Sequence, residues 1–329
     1  MKFLIIRLSS IGDIVLTTPV IRCLRKKFPD AEIHYLTKTS FTSILTENPY
    51  ISKLHAWGKN EKEILQILKE EKFDYIIDLH HNLRTLKIKR FLKPAKHFSF
   101  PKLNIQKWLL TALKINVLPD VHIVDRYLET VTTFGVTNDG KGLDYFIPKK
   151  DEVPVADIPA THSTGYIGIV IGAALHTKKL PVEKLITLCN AIAHPVILLG
   201  GPEDFEAGEE IARHDRIKMY NACGKFNLNE SAWIIKKSLL VISHDTGLMH
   251  IAAAFQKKVI AIWGNTVPAF GMSPYYGQHE NKAQNFEVKK LSCRPCSKIG
   301  YAKCPLGHFK CMQQQKIDLI VETAEKLLR

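Results

Sequence analysis

Residues 239–254 read LLVISHDTGLMHIAAA, and their chemistry is concentrated in the polar turn Ser243-His244-Asp245-Thr246-Gly247. An apolar run precedes the turn, and Leu248, Ile251, Ala252 and Phe255 follow it at helical spacing. A strand, a tight turn and a helix in that order leave free backbone N–H groups at the turn, beside the positive end of the helix dipole. Such a turn suits a phosphate. Gly247 lets a ligand approach the backbone, Thr246 adds a hydroxyl donor, and His250 stands one turn into the helix. The competing reading is an ordinary capped helix start, with Ser243 or Asp245 as N-cap and His250 as a core residue. Asp245 argues against it, because a carboxylate at a phosphate-facing turn is repelled unless it grips a hydroxyl or an amide.

The elements around this turn read as alternating strands and helices. Residues 2–7 form a strand, 8–13 a turn and 14–28 a helix. Strands at 32–37, 52–57 and 74–79 alternate with helices at 41–47 and 61–71. The proline-containing stretch 147–165 has no periodicity and reads as a linker. A second strand–helix series runs from Tyr166 to Trp263. The pattern predicts an α/β protein with parallel sheets covered on both faces. Such sheets bind ligands at the carboxyl ends of their strands, where the turns 9–13 and 243–247 fall.

Composition narrows the classes. The chain of 329 residues carries a net charge of +14. Between Leu79 and Pro119 there is no acidic residue, whereas Arg84, Lys87, Lys89, Arg90, Lys93, Lys96, Lys102, Lys107 and Lys114 all fall there. Such a segment attracts polyanions, although any single lysine reads equally as a solvated helix position. No apolar run is long enough to span a bilayer. The apolar start is too short for a signal peptide, so a cytoplasmic protein is expected. No G-x-G-x-x-G, P-loop or H-E-x-x-H occurs, which disfavours dinucleotide oxidoreductases, P-loop NTPases and zincins.

The segments Ser-x-Asp-Thr-Gly-x-x-His, Gly264-Asn265-Thr266-Val267-Pro268 and Ser9-Ser10-Ile11-Gly12-Asp13 resemble glycosyltransferase family 9, the ADP-heptose:lipopolysaccharide heptosyltransferase family. The resemblance implies a GT-B fold: two Rossmann-like, doubly wound domains facing across a cleft, with a C-terminal helix crossing back. The domains are expected at 1–150 (acceptor) and 151–311 (nucleotide sugar), followed by a terminal helix at 312–329. By resemblance Asp13 is the catalytic base. A carboxylate at the cleft edge can take the proton of an attacking alcohol, a contribution of about 10²–10⁴-fold; the alternative is an Asp placed for the helix dipole. A single carboxylate suits inversion by one displacement.

No Asp-x-Asp occurs, so the leaving pyrophosphate must be met by amides, hydroxyls and lysine. The donor set is Lys178, Asp245, Thr246, Gly247 and His250. Lys178 matches the family's phosphate lysine three residues before a proline, and Asp245 is expected to order the turn or the sugar. Glu203 reads equally as a ribose ligand and as a first-turn glutamate. Ala173 and Ala174 depart from the family, some of whose members place two threonines there; His176 or Thr177 would have to compensate. Ser10, Gly12, Arg84 and Arg126 are assigned to the acceptor, the arginines as fork-shaped phosphate donors.

The expected activity is inverting, metal-independent transfer of heptose from ADP-heptose to a phosphorylated, lipid-linked lipopolysaccharide core acceptor, at the inner face of the inner membrane. No cofactor is required for that chemistry and no nucleic acid is expected. A relative using a different nucleotide sugar and a non-catalytic polyanion-binding protein are the alternatives. Cys293, Cys296, Cys304 and Cys311, spaced C-x2-C-x7-C-x6-C within the segment 293–311, suit a structural zinc.

Overall fold

The computed structural model describes residues 1–93 and 96–329. Five parallel strands, β1 (Lys2–Ile6), β2 (Glu32–Lys38), β3 (Lys53–Trp57), β4 (Tyr75–Asp78) and β5 (Lys96–Ser99), form one sheet in the order β3-β2-β1-β4-β5. Six more, β6 (Ile167–Val170), β7 (Val196–Leu199), β8 (Met219–Asn221), β9 (Leu240–His244), β10 (Val259–Trp263) and β11 (Ala283–Glu287), form a second parallel sheet in the order β11-β10-β9-β6-β7-β8. Phe3 to Ile6 and Val259 to Trp263 are buried without a break, as strands covered on both faces must be.

In the first lobe the helices are α1 (Ile11–Val15), α2 (Thr18–Lys27), α3 (Glu61–Glu70), α4 (Leu83–Leu92), α5 (Asn104–Trp108) and α6 (Ile123–Leu128). The second contributes α7 (Val182–Ala191), α8 (Phe205–Ala212), α9 (Leu228–Lys237), α10 (Gly247–Ala254), α11 (Lys310–Gln313) and α12 (Ile317–Leu328). The helix expected over 14–28 is two helices. Pro19 occupies the first turn of α2; it has no N–H to give the preceding turn, so it starts a new helix rather than continuing α1. The helix expected over 41–47 is a 3-10 turn, Thr39–Ile44, where serine and threonine hydroxyls compete with helical bonding. Short edge strands β5, β8 and β11 were not readable from alternation.

The terminal helix does not cross back. Ile317, Ile320 and Ala324 of α12 are buried in the same core as Leu185 and Leu188 of α7, with Ile242 of β9. The second lobe thus takes up the apolar stripe of α12, with Val321, Leu327 and Leu328 partly buried against the same core. The loop between β10 and β11 reaches across instead. Ile123 N–H donates to Gly271 O at 2.8 Å, Gln278 N–H to Gly140 O at 2.8 Å, and His122 Nε2 lies 2.8 Å from Ser273 O. Tyr276 of this loop is buried with first-lobe residues such as Ile21 and Val131, in a cluster that Ala232, Ile251 and Ala253 also enter. The lobes therefore share a core beside the cleft. Among the described residues no helix is long and apolar enough to cross a membrane.

Candidate active site

Each sheet has one point where the chain's progress across it reverses. In the first sheet this lies between β1 and β4, and in the second between β6 and β9. Doubly wound sheets open a crevice there, at the carboxyl ends of the strands. The turn carrying Asp13 follows β1, and the loops carrying Lys178 and Asp245 follow β6 and β9.

Asp13 sits in the first turn of α1. Its Oδ2 accepts from Ser10 N–H at 3.2 Å and from the Ser10 hydroxyl at 2.8 Å, and Arg7 Nη2 lies 2.7 Å from its Oδ1. The carboxylate remains 19 % exposed. Burial pushes its pKa upward, but Arg7 and the Ser10 hydrogen bonds outweigh that and hold it below the usual carboxylate range. It is therefore ionised at neutral pH.

Opposite, Lys178 Nζ lies 2.7 Å from Asp245 Oδ2, and the Thr266 hydroxyl donates to the same oxygen at 2.9 Å. Asp245 thus binds together the loops after β6, β9 and β10, which accounts for a carboxylate in this turn. Thr246 is the extended N-cap of α10, and its side chain makes no capping bond. Its hydroxyl lies 3.3 Å from Ser243 Oγ. The turn Asp245 to Gly247 is half-buried, leaving its amides approachable. His244 Nε2 accepts from Leu180 N–H at 3.0 Å, tying the Lys178 loop to β9. His250 is 2 % exposed. Burial drops its pKa to about 4, against the pull of Asp245 and Asp13, so its ring is neutral.

The two turns meet through glycines. A β-carbon on Gly12 would stand 2.5 Å from His250 Cδ2 and 3.4 Å from Gly247 Cα, and one on Gly247 would stand 2.5 Å from Ile11 Cγ2. Helices α1 and α10 pack end on end only because neither position has a side chain. Asp13 follows directly from that contact, beside the N-terminus of α10.

Other expected residues fall in different surroundings. Glu203 is exposed and lies over Gly201. The buried acid of that loop is Asp204, which accepts from Gly201 N–H at 3.0 Å and pairs with Lys179. Arg84 is half-exposed, 3.8 Å from Glu61. Arg126 is buried and donates to Phe270 O at 3.2 Å, while its Nε and Nη1 have no partner among the described residues. Thr177 cannot compensate for Ala173 and Ala174: it is buried, its hydroxyl donates to Tyr301 O at 3.1 Å, and Tyr301 N–H donates back to it at 2.8 Å. His176 is exposed, stacked on Phe309 with ring centroids 5.3 Å apart.

Cys296 lies within electrostatic reach of Cys293 and Cys304, and Cys311 within reach of all three, so the four clustered cysteines are neighbours in the fold. Among the described residues the grouping of three ligand atoms within 4.8 Å is His34, His55 and Glu71. There Glu71 is already neutralised by Lys2 at 2.9 Å and Lys53 at 2.6 Å, so that cluster reads as an ion-pair network rather than a metal centre. Two of the basic residues expected to face a polyanion are also engaged. Lys89 is buried 2.8 Å from Asp78, and Lys114 Nζ donates to Pro295 O at 2.8 Å, joining the lobes. The sequence reading missed Arg7. A charge closing an otherwise apolar strand just before the Asp13 turn was the signal available for it.

Two doubly wound lobes with these motif turns face to face define a GT-B glycosyltransferase. The model of glycosyltransferase family 9 (heptosyltransferase) matches residues 62–304, and the chain belongs to that family. It is 28 % identical over 297 residues to lipopolysaccharide heptosyltransferase 1 of Campylobacter coli, covering 81 % of this chain and 84 % of that one. Among solved structures, the glycosyl transferase family 9 protein of Veillonella parvula superposes with a TM-score of 0.76 at 23 % identity, covering 99 % of this chain and 97 % of that one. An E. coli heptosyltransferase with ADP-2-deoxy-2-fluoro heptose superposes with a TM-score of 0.70 at 16 % identity, covering 99 % of each chain. At these identities the superpositions establish the fold. The family membership makes the chain a glycosyl-transferring enzyme rather than a passive polyanion binder.

Proposed function

We propose that the chain transfers heptose from ADP-heptose to a phosphorylated, lipid-linked lipopolysaccharide core acceptor, with inversion and without a metal in the chemical step. The observation that carries this reading is the meeting of the Asp13 turn with the Asp245–Gly247 turn through Gly12 and His250. The donor pyrophosphate would lie on the amides of Thr246 and Gly247 and on Lys178, which stabilise its growing charge by fixed dipoles and one ammonium. Of the two carboxylates near the gap, Asp245 is held by Lys178 and Thr266, leaving Asp13 to act on the acceptor. The acceptor oxygen bonds to the anomeric carbon, its proton passes to Asp13, and ADP leaves with the electron pair of the broken bond. One displacement inverts the anomeric centre. Ser10 acts by holding Asp13, Gly12 by admitting His250, and Glu203 is assigned to the ribose.

On the acceptor side, Lys102 and Lys107 lie within electrostatic reach of Asp13, Arg7 and Lys298, a cationic surround suited to an anionic glycan. Further out, a cavity of about 830 Å³ between α3 and α4 has an apolar floor including Leu68 and Phe73, and a rim of Lys69, Lys72, Lys87, Arg90 and Lys93. Trp108 and Ile105 of α5 are also largely exposed. Cations beside apolar side chains favour an anionic membrane surface, which supports a peripheral location.

The test is incubation with ADP-heptose and a core acceptor in excess EDTA, with the anomeric configuration of the product read by NMR. Inverted product in EDTA is expected; a retained configuration or a requirement for divalent metal overturns the reading. A second reading, a different nucleotide sugar, is favoured by Ala173, Ala174 and the locked Thr177. Calorimetry with ADP, UDP and GDP decides it, with ADP expected to bind most tightly.

A further inference from the structure

Arg7 follows β1 directly and is 8 % exposed. Its Nε donates to Ser9 O at 2.7 Å, and its Nη1 donates to Leu79 O at 2.6 Å and to the Tyr127 hydroxyl at 3.0 Å. These three bonds fix the guanidinium to the ends of two neighbouring strands and to a core tyrosine. The edge left over, Nη2, points at Asp13 Oδ1, 2.7 Å away. A carboxylate offers about four lone-pair sites. Ser10 N–H and the Ser10 hydroxyl take both on Oδ2, and Arg7 takes one on Oδ1. One site is left, on Oδ1.

We propose that Arg7 is a positioning residue for glycosyl transfer: it turns the one open lone pair of Asp13 to the acceptor hydroxyl and keeps the carboxylate charged until the new bond is forming. The inference rests on the assignment of Asp13 as the base. A carboxylate held below its usual range is too weak to strip a free alcohol. It accepts the proton only once the acceptor oxygen has begun to bond to the anomeric carbon and its proton has become acidic. The proton then passes to Oδ1, and the adjacent Arg7 charge favours its release to water after product departs.

The experiment compares full-length wild type with Arg7→Met and Arg7→Lys, measuring pH–rate profiles, donor affinity and thermal unfolding. Arg7→Met should move the acid limb of kcat/KM upward by roughly one pH unit or more, the size of an arginine's effect on a neighbouring carboxyl, and lower kcat, with ADP affinity unchanged. Arg7→Lys should keep the acid limb near wild type but lose kcat, because one ammonium cannot hold Ser9, Leu79, Tyr127 and Asp13 together. An Arg7→Met protein with normal ADP affinity and an unmoved acid limb overturns the proposal. If Arg7→Met does not fold, an Arg7→Lys protein with wild-type kcat overturns it instead. Asp13→Asn separates the two readings. An active Asp13→Asn protein removes the base assignment itself, whereas an inactive one beside an unshifted Arg7→Met removes only the role of Arg7.

Discussion

Gly12 lies against His250 so closely that a β-carbon on it would stand 2.5 Å from the imidazole. These residues come from different lobes, so the absence of one side chain sets the separation of the two halves of the site. Overpacking such a contact costs about 1–3 kcal/mol. Gly12→Ala should lower the melting temperature and reduce kcat, because the lobes must part where the reacting groups meet. Thermal unfolding and steady-state kinetics check this; a Gly12→Ala protein with wild-type stability and rate contradicts the packing described.

The Lys178–Asp245 pair gives a prediction of sign. With the donor phosphates where we propose them, Lys178→Met leaves Asp245 beside them with Thr266 alone, so ADP affinity should fall by about 10- to 100-fold, the range of a charge-assisted hydrogen bond. Adding Asp245→Asn removes the uncompensated charge, and the double variant should recover part of the loss. A double-mutant cycle by calorimetry showing simple additivity would mean the pair does not couple at the phosphate.

Acid should loosen the protein through its buried histidines. Burial lowers the pKa of each of His55, His244 and His250 from 6.5 to about 4. Between those values the unfolded chain binds protons that the folded chain refuses. The stability they contribute is present above 6.5 and is lost as pH falls toward 4, by up to about 1.4 kcal/mol per pH unit for each fully differing proton. Urea unfolding at pH 7 and pH 5 should show the loss, and equal stability at both contradicts it.

The basic segment should divide by function. Charge reversal at Lys87 and Arg90, on the rim of the groove between α3 and α4, should weaken binding to vesicles containing anionic phospholipid while leaving the melting temperature nearly unchanged. Lys89→Glu should instead destabilise the fold, because it sets a second carboxylate against buried Asp78. Equal effects of the two changes on vesicle binding contradict the division.

The inner strands of both sheets and the two motif turns were legible because continuous apolar runs and glycine-bearing turns are local features, whereas the short edge strands β5, β8 and β11 were not. Arg7, Asp204 and Thr266 were not either, since their roles come from partners that other loops and helices bring: Leu79 and Tyr127 to Arg7, Lys179 to Asp204, Asp245 to Thr266. The same holds for α12. Its apolar stripe announced that it would be buried, but only the shape of the second-lobe core determined where. The cysteine spacing suggested a ligand set, and the fold brings Cys293, Cys296, Cys304 and Cys311 within electrostatic reach of one another, an approach that sequence distance alone does not fix. Residue type alone makes Thr177 a candidate phosphate ligand, and its partner Tyr301 lies too far along the chain for spacing to reveal.

The central claim is that Asp13 accepts the proton while the opposite lobe holds the donor. The direct measurement is the single-turnover rate of Asp13→Asn with saturating ADP-heptose, alongside its ADP affinity. The account predicts a rate lower by about 10²–10⁴-fold with ADP bound as tightly as by wild type. A rate equal to wild type, or a loss explained entirely by weaker ADP binding, contradicts it.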